Sequence, residues 1–122
     1  MKKVEEQIIK GFKGFDSELK CRDKQYEVGK TYKEDVEPKA CEVGMHFCES
    51  PFEVFGYYNP NRSRYCMVEG SGKLSKHDDK IACTQLKVNA EIGLSGIIQA
   101  GVKFNLEKVE WADKAHTEGN YS

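Results

Sequence analysis

The segment 41–58 gathers most of the side chains in this chain that could do chemistry. It holds two thiols, Cys41 and Cys48, one imidazole, His46, and two phenols, Tyr57 and Tyr58. On an extended strand His46 and Cys48 project to one face, so both could reach a metal together with Cys41. Structural zinc takes four ligands, and its sites usually show close ligand pairs about two to four residues apart. Here six residues separate the two cysteines and no second close pair exists, so no metal site is expected. A thiol nucleophile is the second chemistry, with Cys48 activated by His46 or His77 and by a following helix start. Neighbours on one strand do not hold the sulfur-to-imidazole geometry of proton transfer, and no oxyanion loop is visible. Structural cysteines are the expectation. The run His77-Asp78-Asp79 reads as a solvated turn, because consecutive acids at a hairpin tip diverge.

Recognition is a better supported expectation than turnover. Phe52, Phe55, Tyr57 and Tyr58 crowd one short helix with more aromatic surface than a single buried face absorbs. Tyrosine suits half-wet contacts, where its ring is covered and its hydroxyl is not. Phe55, Tyr57 and Tyr58, with Arg62 and Arg64 beside them, are therefore the expected binding residues.

These side chains need elements to hold them. Residues 7–15, with Gly11 and Gly14, read as a first strand in which the glycines permit bending or close approach. Short extended pieces flank a turn at Gly29. Residues 45–48 are too short for a helix, follow a glycine and read as a strand. Ser50, Pro51 and Glu53 then give a helix start of the Ser-x-x-Glu type. Strands follow at 63–69 and 81–88, the second with Ala82, Thr84, Leu86 and Val88 on one side. A glycine bend at 70–72 and a polar tip at 77–80 lie between them. A last helix begins at Asn89 or Glu91, its core stripe being Leu94, Ile97, Ile98, Gly101 and Val102. The order predicts an α+β fold, a mostly antiparallel small sheet with two short helices packed against it. Residues 1–104 form the expected single domain, and 105–122 a polar C-terminal tail, partly ordered, that carries Trp111.

Composition narrows the function classes. A length of 122 residues suits one domain. The 11% aromatic content argues against disorder despite 32% charged residues. A net charge of −1, without a basic run, gives no general attraction for nucleic acid or anionic lipid. No window approaches the roughly 20 apolar residues of a membrane span. Five cysteines form an odd, irregular set and no secretory signal follows Met1, so reduced thiols in a cytoplasm are expected.

Two blocks carry a resemblance. Gly11-Phe12-Lys13-Gly14-Phe15 and Tyr26-Glu27-Val28-Gly29-Lys30-Thr31-Tyr32 form the first. Cys41 with Gly44-Met45-His46-Phe47-Cys48-Glu49-Ser50-Pro51, Val54 and Tyr57-Tyr58 forms the second. Together with Ser63-Arg64-Tyr65, Val68-Glu69 and the segment from Ala90-Glu91-Ile92 to Val102-Lys103-Phe104, they resemble a domain family of unknown function met in bacteriophages and prophages. The resemblance spans about residues 8–104 and implies no assigned activity. Its phage context implies an accessory protein of the anti-defence kind, in the cytoplasm of the bacterial host, that binds a host protein without a cofactor.

A fainter similarity is to ADP-ribosyltransferases, which place a glycine-containing strand before a helix and take a catalytic glutamate from a later strand. It implies an NAD-dependent alternative, with His46, Tyr58 and Glu69, and Lys13 beside them, as site residues. The glutamate would stabilise an oxocarbenium-like ribose. The first strand lacks the His or Arg of that pattern.

Overall fold

Extended segments dominate the chain because its apolar residues alternate with polar ones and are rich in β-branched and aromatic types. The computed structural model describes residues 7–40, 42–59, 61–78 and 80–119, with side chains described as far as Val109. Strands β1 (Ile9–Phe15), β2 (Lys20–Cys21), β3 (Lys24–Gln25), β4 (Thr31–Lys33) and β5 (Met45–Cys48) come first. A 3-10 helix (Pro51–Gly56), the long strands β6 (Arg64–His77) and β7 (Lys80–Glu91), and helix α1 (Gly93–Gly119) follow. The fold is α+β, and every strand pairing is antiparallel.

The β6–β7 hairpin is the frame. It pairs from Cys66↔Glu91 to His77↔Lys80, with register shifts after Met67 and Ser71. Such irregularities sharpen strand twist, and a twisted long hairpin curls. β1 lies along β6, from Ile9↔Gly70 to Phe15↔Arg64. β5 and β4 share the other edge of β7, at Met45↔Cys83 to Cys48↔Lys80 and Thr31↔Lys87 to Lys33↔Gln85. The single pair Phe12↔Cys48 joins β5 back to β1, so β1, β6, β7 and β5 close a ring.

Closure creates two apolar compartments. Inside the ring, Phe15, Tyr26, Met45, Phe47, Val68, Ile81, Cys83, Leu86 and Val88 form one cluster. Outside it, Cys48, Val54, Tyr65 and Ile97 form a second, with Phe12, Phe55, Tyr58 and Ile92 against it. The period of two along β5 divides its side chains between them, Met45 and Phe47 inward and Cys48 outward. All of β5 is buried, as the strand-to-helix junction requires. In β7 the inward set is Ile81, Cys83, Leu86 and Val88 rather than one alternating row. The register irregularity after Ser71 of β6 accompanies that change of phase.

Three local expectations are corrected. Ser50 occupies the N-cap position without a side-chain cap, and Glu53 N–H bonds the Ser50 carbonyl instead. The element is a six-residue 3-10 helix whose Pro51 and Val54 are buried. Helix α1 starts at Gly93 (φ 63°), because residues 89–91 remain in β7. Ala90 and Glu91 pair with Met67 and Cys66, and Glu91 takes two hydrogen bonds from Arg64, at 2.8 and 2.6 Å. The covered stripe of α1 is also narrower than expected. Ile97 and Gly101 are buried, whereas Leu94, Ile98 and Val102 are 40–49% exposed. Gly101 is needed there because the Phe52 ring rests where a β-carbon would stand. The helix continues beyond Phe104 to Gly119.

Candidate functional site

The ring is weakest where β1 meets β5, and the site forms at that seam. Beyond Phe12↔Cys48 no ladder pair joins the two strands. The Lys13 ammonium fills the gap by donating to the His46 carbonyl. Lys13 shares the inward face of β1 with Phe15, and its Nζ lies 5.6 Å and 5.7 Å from the Phe15 and Tyr26 ring centroids. It is 4% exposed. Among the described residues no carboxylate pairs with it. A buried charge normally has a counter-charge, since desolvation of an ion costs several kcal/mol. Burial accordingly lowers the Lys13 pKa, and the nearby Cys21 sulfur is the main opposing influence.

Over this seam lies the β2–β3 hairpin, held by a dense local network. Asp16 Oδ1 accepts from Glu18 and Lys20 N–H groups at 2.9 and 2.8 Å. Gln25 Nε2 donates to the Glu18 and Tyr26 carbonyls. Its two-residue turn, Arg22-Asp23, places both residues at positive φ, 51° and 65°. Two-residue hairpins of this kind favour Asn-Gly, so an Arg-Asp turn stores strain of a sort that gathers at functional sites. Cys21 contacts Tyr58, Sγ to Oη 2.7 Å. The Tyr58 ring in turn lies on Gly14, where any β-carbon would displace it. Burial, and then the Cys21 contact, push the Tyr58 hydroxyl pKa upward, so it stays a neutral donor.

A cavity of about 290 Å³ opens between these elements. Lys13, Arg22, His46, Tyr57, Tyr58 and Lys80 are its polar lining, with Phe12, Phe47 and Val54 as apolar walls. A second cavity of about 240 Å³ adjoins it and shares Lys13, Cys21, Arg22 and His46. Lys80 stands over the exposed Tyr57 ring, 3.9 Å from its centroid. His46 is 8% exposed and its Nε2 has no hydrogen-bond partner among the described residues. Burial first, then the Arg22 and Lys13 charges, lower its pKa to about 4, so the ring is neutral at pH 7. The larger cavity thus combines the amino groups of Lys13 and Lys80 and the Arg22 guanidinium with neutral polar groups, and among the described residues no carboxylate lines it.

The structure brings some expected residues together and leaves others apart. Lys13, His46, Tyr57 and Tyr58 meet in the cavity. Glu69 does not line it; its Oε2 accepts from Asn89 Nδ2 at 2.7 Å, between Lys10 and Lys87 on the neighbouring strands. Phe55 packs against Phe52 and Tyr65. Arg64 is held by Glu91, and Arg62 is an exposed turn residue. Cys41 and Asp79 lie outside the described residues; among these, no three metal-binding side chains converge. The thiols of Cys66 and Cys83 are fully buried, which pushes them up to about 12 and about 11 and leaves them inert. The sequence reading missed Cys21, Arg22 and Lys80. Arg22-Asp23 between two short polar pieces was the available signal, a tight turn without a glycine.

Residues 9–100 match the family model described as "Domain of unknown function (DUF7666)", and the chain belongs to this family. No curated protein and no solved structure matches it. The matched span runs from β1 into α1 and contains every residue that lines the cavity.

Proposed function

We propose that this DUF7666 domain is a binding module whose cavity receives a small anion. The observation that carries this reading is Lys13, an ammonium buried at the seam of the ring without a carboxylate partner among the described residues. An anionic ligand would supply the counter-charge, with Arg22 at the strained turn and Lys80 at the rim adding attraction. The volume of about 290 Å³ sits at the lower limit of small-molecule sites, about 300–1,000 Å³, which favours a small acid over a dinucleotide. That limit, and the lack of a carboxylate in the larger cavity among the described residues, argue against NAD-dependent ADP-ribosyl transfer. The test is thermal denaturation with inorganic phosphate and simple carboxylates against equal ionic strength of chloride. A ligand at about 100 times its Kd adds about 2.7 kcal/mol, a Tm rise on the order of 10 °C. The rise should vanish in Lys13→Met. No anion-specific shift in the wild type would overturn the proposal.

A second reading, a phage or prophage accessory protein that docks on a bacterial host protein, is favoured by a separate observation. Leu94, Ile98, Val102, Leu106 and Val109 recur along one side of α1 and are 40–56% exposed. Exposed apolar stripes of this kind mark contact surfaces. A host protein retained by the wild type and lost with Ile98→Glu plus Val102→Glu supports this reading. Dimerisation abolished by the same substitutions would assign the stripe to a second copy instead.

A further inference from the structure

Lys13 is the one described lysine that is buried. Its side chain leaves the inward face of β1 and its nitrogen ends at the His46 carbonyl of β5, so it crosses the seam. Lys13 lines both cavities there. The Phe15 and Tyr26 rings stand on one side of it. Arg22, a permanent cation, lines the same two cavities. Apolar walls and a neighbouring cation are the two surroundings that favour a lysine's uncharged amine and make it a nucleophile. A neutral amine still donates one N–H to the His46 carbonyl and keeps its lone pair free. Arg22 and Lys80 hold an anion whichever form Lys13 takes.

Resting on the anion-binding reading above, we infer that Lys13 is a Schiff-base lysine and that the cavity takes small 2-oxo acids. The carboxylate lies toward Arg22 and Lys80, and the carbonyl carbon meets the Lys13 nitrogen. That nitrogen adds to the carbon, and the carbonyl π pair passes to oxygen. The two amine protons then leave with this oxygen as water, so C=N replaces C=O without oxidant or reductant. The Tyr58 hydroxyl and the Cys21 thiol, 2.7 Å apart on the cavity wall, are the proton carriers at hand. A carboxylate next to the carbonyl keeps the acid short, as a volume of about 290 Å³ requires.

Reductive trapping tests this. The wild type is incubated at pH 7 with pyruvate or 2-oxobutyrate and sodium cyanoborohydride, and its peptides are mapped by mass spectrometry. Lys13 should gain the mass of the acid less one oxygen atom, at about ten times the yield of any exposed lysine. Propionate, which keeps the charge and lacks the carbonyl, should slow this labelling in proportion to its occupancy. Lys13→Arg keeps a cation without a reactive amine; it should retain the Tm rise with propionate and lose the label from that peptide. The wild-type map stands independently of the variant. Labelling of Lys13 no greater than that of exposed lysines, with a Tm rise still produced by pyruvate, would overturn the inference and leave the anion site standing. Labelling that propionate does not slow would overturn the assignment to oxo acids. No Tm rise with pyruvate, 2-oxobutyrate or propionate would overturn the anion site itself.

Discussion

Lys13 carries two opposed energies, which makes its replacement informative. Its ammonium is desolvated against Phe15 and Tyr26, a cost that an apolar side chain would not bear. It also satisfies the His46 carbonyl, and orphaning that acceptor costs about 1–3 kcal/mol. Lys13→Met removes both, and the two changes offset. Thermal unfolding should show a Tm equal to or above that of the wild type, while anion binding is lost. A variant that both unfolds earlier and fails to bind would make Lys13 a structural residue. His46 gives a pH dependence of known sign. Its pKa falls from an ordinary 6.5 to about 4 on folding, so the unfolded chain binds more protons between those values. Stability should therefore decline as pH drops from about 6.5 to about 4 and lose this contribution to the slope below that. Chemical denaturation of wild type and His46→Phe over this range isolates the effect, because the variant should have a flatter profile.

Helix α1 shows what periodicity reveals about an element and what it leaves open. The apolar spacing from Leu94 to Val102 identifies the helix and its wide apolar arc. Which part of that arc is covered depends on the 3-10 helix, whose Phe52 ring meets Gly101. Ile97 therefore enters the outer core, and Ile98, one residue on, is 44% exposed. Ile97→Ala should cost about 2–5 kcal/mol, as a buried large-to-small change does. Ile98→Ala should stay within about 0.5 kcal/mol. Urea unfolding of the two variants measures the contrast, and equal losses would place both side chains in the core. The strand β5 was legible for a different reason. A four-residue alternation after a glycine and before Ser-Pro leaves few alternatives, and both faces of the strand are buried. The start of α1 was not legible, because Asn89–Glu91 are held in strand by β6 and Arg64, far away in sequence.

At the scale of the molecule, the pairings that close the ring join distant segments. β1 meets β6 more than fifty residues later, as at Gly11↔Val68, and Phe12 meets Cys48. No local pattern encodes such contacts, so the sequence announced an antiparallel α+β domain but not its closure. The candidate site shares that fate. Segment 41–58 and Lys13 could be singled out by residue type, whereas Arg22, Cys21 and Lys80 reach the cavity only because the fold brings β1, β2, β5, the 3-10 helix and β7 to one seam. The last contribution to this closed body comes from Ile97, Gly101 and the half-buried Phe104 of α1. Every described side chain from Asn105 to Val109 is exposed. A helical segment shorter than about 12–15 residues is marginal in water unless packing supports it. The cooperative unit should therefore end near Phe104. Removal of residues 105–122 should lower the helical signal in circular dichroism, preserve anion binding and change the Tm by less than about 3 °C. A fall of about 10 °C would correspond to roughly 2 kcal/mol. That exceeds what exposed positions supply, and would show that the distal turns of α1 belong to the same folded unit.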